Sequence, residues 1–158
     1  MGQLARHTDH TTCYTWFVTE PIAIHDFFEY YTNYIVSGID SLMQSDVPRY
    51  FTQLGLEMAI DPWISPEMLE TFVAPNDTRI NAQVHKYCGK IRHHCHGNVI
   101  DYLETFSSMG IDGTEPLEGP PQANVDLNRA KELVETECCC AEIFPHRISK
   151  QLIRMRPY

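Results

Sequence analysis

The residues best placed to do chemistry cluster at two points, HHCHG at 93–97 and EPLE at 115–118. His94, His96, Glu115 and Glu118 are the ligand-capable side chains there, and Glu57 adds a carboxylate further upstream. Imidazole can hold a divalent metal, and a carboxyl group can move a proton or stabilise positive charge without one. If 90–96 is an extended strand, alternation places Arg92, His94 and His96 on one side and Ile91, His93 and Cys95 on the other. His94 and His96 could then meet one metal from one face, or simply line the site as hydrogen-bonded polar residues; His93 and Cys95 are expected to pack outward against helices. Glu57 and Glu115 are the candidates for catalytic acid or carboxylate ligand, and the plainer role of each is to cap a loop or face water.

These side chains need a scaffold, and the pattern supplies strands alternating with helices. Ile24, Phe27, Phe28, Tyr31, Tyr34, Ile35, Gly38 and Leu42 recur at helical spacing, which predicts a helix over 24–43 with a ring-rich packing face. A short strand over 49–54 is followed by Gly55 and a long loop through Asp61, Pro62 and Trp63, with Trp63 as a packing residue. Ser65, Pro66 and Glu67 form a helix start, and that helix runs through Leu69, Phe72 and Val73 to Ile80 and Val84 with a kink at Pro75. Gly89 closes it, and the 90–96 strand follows. Asn98 is placed to cap a helix carrying Val99, Leu103 and Phe106, which Gly110 ends before a strand over 111–117. Asp126 caps a helix with Leu127, Ala130, Leu133 and Val134, and 138–144 reads as one more strand. The polar segment around His7, Asp9 and His10 is assigned no site.

Strand and helix in alternation imply parallel strands joined by crossovers. About four such units fit, whereas a complete eight-fold barrel takes ~250 residues. With 158 residues and 43% hydrophobic content the chain suits a single globular domain over 1–158. A net charge of −9 with 12 Lys+Arg argues against a nucleic-acid partner. No apolar run approaches the ~20 residues that span a bilayer, and MGQLARHTDH lacks a secretory apolar segment, so a cytoplasmic protein without a membrane partner is expected. The six cysteines, three of them adjacent at Cys138, Cys139 and Cys140, make a poor disulfide framework and read as reduced, structural thiols.

Six blocks in order, PWISPE (62–67), FVAP (72–75), Arg79 with Ile80, HKYCGK (85–90), HHCHGNV (93–99) and MGIDGTEPLEGPP (109–121), make the chain resemble the uroporphyrinogen decarboxylase superfamily, most strongly over 24–155. The resemblance implies an α/β fold, a partial (β/α)8 TIM barrel lacking the family's early catalytic segment. A barrel opened at two edges leaves backbone groups unpaired, so a homo-oligomer or a companion chain completing the barrel is expected. By family the function is that of a carboxy-lyase of porphyrin biosynthesis acting on a small-molecule tetrapyrrole, with no cofactor. An acidic residue would hold the pyrrole N–H groups while carbon dioxide leaves, and basic residues would face the carboxylates of the substrate. The alternatives are a zinc-dependent methyltransferase relative acting on methyl-corrinoid and thiol substrates, or a truncated, non-catalytic member. In the methyltransferases a His-x-Cys pair before Gly-Asn holds zinc; aligned on Gly97 and Asn98, His94 takes the histidine position and His96 the cysteine position, and neutral imidazole is also a zinc ligand.

Overall fold

The computed structural model describes residues 2–134 and 139–140. Two helices open the chain, α1 (Gly2–His7) and α2 (His10–Thr19). The sequence pattern does not announce them, since α2 buries only Cys13 and Phe17, too few to make a stripe. Asp9 is its N-cap and accepts from the Thr12 amide at 3.0 Å. The long helix α3 spans Pro21–Met43, three residues earlier than the apolar period suggests, because Pro21 fits the first turn where no amide donor is required. It buries Ile24, Phe28, Thr32, Ile39 and Met43. Its rings are not all packing residues: Tyr30 and Tyr34 are 68% and 70% exposed, which corrects the expectation of a buried ring-rich face.

Strand β1 (Tyr50–Gln53) is followed by a one-turn 3-10 helix, Leu56–Ala59, that the sequence reads as loop. Trp63 stacks on Tyr14 with ring centroids 5.0 Å apart but stays 43% exposed, so it packs on one side only. Ser65 caps the next helix through the Met68 amide, and Pro66 and Glu67 occupy its first turn in α4 (Pro66–Met68). The kink expected at Pro75 is instead a wide π-helical turn over Leu69–Val73, in which the Ala74 amide reaches back to the Leu69 carbonyl. Proline supplies no amide to the preceding turn and its ring crowds the carbonyl four residues back, so the ladder widens there. The helix then continues as α5 (Ala74–Lys86).

At the end of α5 the left-handed residue is Cys88, with φ 55°, and not Gly89. Gly89 serves a different need: a Cβ there would lie 2.7 Å from Val84 Cγ1 and 3.2 Å from the Arg49 carbonyl oxygen, so chain and helix approach too closely for a side chain. Strand β2 is Lys90–His94, shorter than the expected 90–96, although the Cys95 amide still bonds the Glu115 carbonyl at 2.8 Å. Asn98 does not cap a helix; its amide donates to Asp61 at 3.2 Å and ties two loops together. A 3-10 turn, Ile100–Tyr102, leads into α6 (Leu103–Ser108), and Gly110, φ 74°, ends it as expected. Strand β3 is Gly113–Glu115, Asp126 caps α7 (Leu127–Leu133) through the Arg129 amide at 2.8 Å, and β4 is Cys139–Cys140. The remainder of the strand expected over 138–144, with Cys138, lies outside the described residues.

The four strands form one parallel sheet in the order β1-β2-β3-β4, with Thr52 beside Arg92 and His94 beside Glu115. This bears out an α/β fold with parallel strands. Among the described residues, helices cover one face of this sheet. Ile91 and His93 are buried on that side, where His93 meets Asn81 of α5, whereas Tyr50 is 69% exposed on the other. The main core unites Phe17, Ile24, Phe28, Leu69, Leu103 and Phe106. A smaller cluster of Ile39, Met43, Ile80, Val84 and Ile91 fastens α3 and α5 to the sheet. Among the described residues no helix is long and apolar enough to cross a membrane, and Cys13, Cys88 and Cys95 are free thiols.

Candidate functional site

The period-two alternation of β2 decides where each histidine goes. Arg92 and His94 project from the uncovered face and His96 follows beyond the strand end, while His93 and Cys95 turn inward. Parallel pairing then brings Glu115 of β3 alongside. Arg92 Nη1 lies 2.9 Å from Glu115 Oε1, and His94 Nδ1 lies 3.7 Å from the same oxygen. Arg92 Nε also donates to Thr52 Oγ1 at 2.9 Å, so one guanidinium spans three strands. The His94 and His96 rings meet edge to face at 4.7 Å. His96 Nδ1 lies 3.2 Å from Glu118 Oε2, which also accepts from the Gly97 amide at 3.3 Å. Gly97 has φ 109°, a conformation that side chains disfavour, and this turn is what aims the amide at Glu118.

Four of the expected site residues, His94, His96, Glu115 and Glu118, thus stand together at the carboxyl end of β2 and beyond β3. Arg92 belongs with them. Its place was legible two residues before His94 on the same face, but a lone arginine carries no ligand signal. Glu57 stands apart. It sits on the 3-10 turn after β1 and lines a cavity of about 730 Å³ on the helix-covered side, with Oε2 buried and without a hydrogen-bond partner among the described residues.

The inward pair behaves differently from the outward one. His93 is fully buried, and its Nε2 pairs with Asn81 Oδ1 at 3.1 Å while Asn81 Nδ2 donates to the Met109 carbonyl at 2.9 Å. Burial pushes the His93 imidazole below its ordinary value, against the opposing pull of Asp77, so this ring is held neutral. Cys95 is likewise fully buried; loss of solvation, then the charges of Glu57 and Glu118, push its thiol upward and keep it unreactive. Both therefore pack toward the helices, as the alternation predicts.

The uncovered face offers three basic side chains and two carboxylates in alternating contact. Such a surface can bind an anion through Arg92, His94 and His96 and can present Glu115 to a hydrogen-bond donor or a developing cation. Among the described residues no group of three or more His, Cys, Asp or Glu side chains is arranged to hold a metal ion.

The family model described as uroporphyrinogen decarboxylase (URO-D) matches residues 2–140. No curated protein and no solved structure matches the chain.

Proposed function

The chain belongs to the uroporphyrinogen decarboxylase family, and from that premise we propose that it is a carboxy-lyase-type domain of porphyrin biosynthesis that holds a polycarboxylate tetrapyrrole on the bare face of its sheet. The observation that carries this reading is the row Arg92, His94 and His96 set against Glu115 and Glu118. The basic side chains bind carboxylates of the substrate. Glu115, already held by Arg92, accepts a pyrrole N–H and stabilises the ring when it is protonated. The bond to the carboxylate then breaks, its electron pair neutralises the ring cation as an exocyclic methylene and carbon dioxide leaves; a proton adds to that carbon to complete the methyl group, and the ring gives back the proton it first gained. Preorganised charge of this kind acts without a cofactor.

In the same reading the parallel sheet is a segment of a (β/α)8 barrel. The bare face is then the barrel interior, and a companion chain or second copy covers it and pairs with the free edge of β1. Concentration-dependent sedimentation would reveal that association, and a monomer at all concentrations would exclude it.

The catalytic part is tested by incubating the chain with uroporphyrinogen under reducing conditions and counting the carboxylates left on the product. Loss of carboxylates that Glu115→Gln abolishes supports the assignment. A Glu115→Gln chain as active as the parent overturns it.

A further inference from the structure

The cavity of about 730 Å³ beside β1 lies mainly on the helix-covered side and meets the bare face only at Thr52, the hydroxyl that accepts from Arg92. It lies between α3, α5 and the turn after β1, and Phe27, Phe28, Tyr31 and Phe51 give it ring surfaces. Three of its lining side chains carry a buried atom with no hydrogen-bond partner among the described residues: Gln53 Oε1, Glu57 Oε2 and Asp77 Oδ2. All three atoms are acceptors, and two belong to carboxylates. A buried acceptor without a donor bears its full desolvation cost, so the missing element is a donor, and opposite two carboxylates a cationic one.

Asp77 gives this the most weight. It is only 7% exposed and stands in the stripe Val73, Asp77, Ile80, Val84, where every other member is a buried apolar residue. Arg6 lines the cavity from an exposed position but forms no ion pair with either carboxylate among the described residues. Val73, at the end of the π-helical turn, lines the same space, and such turns recur at functional sites. Ring faces add attraction for a cation that no carboxylate provides.

We propose that this cavity binds a small organic cation, an ammonium or amidinium group on an apolar body, with Asp77 and Glu57 as counterions and Gln53 Oε1 as a third acceptor. Its size is that of an ordinary small-molecule site, roughly 300–1,000 Å³. The site stands independently of the tetrapyrrole reading.

Calorimetric titration of the 158-residue chain with benzamidine, and in parallel with benzamide as its neutral isostere, tests the proposal. Benzamidine is expected to bind saturably and at least about ten-fold tighter than benzamide, and Asp77→Asn to weaken it by about ten- to a hundred-fold, as for loss of a charged hydrogen bond. The amidine-to-amide difference is read on the unaltered chain, so it stands even if Asp77→Asn folds poorly. Equal binding of the two probes, or binding of neither, overturns the proposal and leaves the acceptors to water or to a polypeptide strand. Tetrapyrrole binding measured on Asp77→Asn is expected to be unchanged, which separates failure here from failure of the bare-face reading.

Discussion

The two faces of β2 carry the same residue type into opposite environments. His93 is sealed among helices, neutral and bound to Asn81, while His96 is half exposed and bound to the Glu118 carboxylate. The difference arises from one property of an extended chain, that neighbours point to opposite sides. It teaches that a histidine-rich motif is divided by the sheet into structural and chemical halves. The inward half packs into the core, and the outward half is the part proposed to recognise a ligand.

Substitutions on the two sides should therefore separate sharply. The largest effect is expected for Asn81→Ala, which leaves the buried His93 ring and the Met109 carbonyl without a partner. A loss of about 2–4 kcal/mol is expected in denaturant unfolding, and a loss below about 0.5 kcal/mol would break the comparison. Gly89→Ala comes next, because its Cβ would overlap Val84, and about 1–3 kcal/mol is expected from overpacking and strain at the junction of α5 and β2.

Acidification should act through the inward face. The folded pKa of His93 lies below its ordinary value near 6.5, so the unfolded chain binds the proton more readily. Its stabilising contribution is complete above that value and is lost as the pH falls from there toward the depressed folded pKa. A melting midpoint that declines below about pH 6.5, with a shallower decline in His93→Gln, is the expected result; an identical decline in both would assign the acid sensitivity elsewhere. The smallest change in stability is expected for His96→Ala, within about 0.5 kcal/mol, since its contact with Glu118 is exposed to solvent. A larger loss would mean that the outward half also holds the fold together.

Much of this arrangement was legible in the residues. Ser65, Asp126 and Gly110 mark helix ends through cap chemistry that acts locally, and the alternation through 90–96 assigns each side chain its face. What escaped depends on distance in the fold. The α2 helix has too few buried residues to show a period, and Asn98 resembles a cap until Asp61 is brought beside it. Gly89 answers to a contact with Val84 and Arg49 that only folding creates. In the site, the pairing of Glu115 with Arg92 follows from strand register, which the sequence does not state. Asp77 did leave a trace, a carboxylate inside an apolar helical stripe, and Glu57 gave no sign that it would join the cavity and not the histidines.

The central claim is that the bare face, through Arg92, His94 and His96, recognises a polycarboxylate tetrapyrrole. Fluorescence titration with uroporphyrin, comparing the unaltered chain with Arg92→Met and the double variant His94→Ala, His96→Ala, tests it most directly. The account predicts saturable binding that both variants weaken by about ten-fold or more while their melting midpoints stay near the parent. Equal affinity in all three chains, or no binding to the parent, would contradict it.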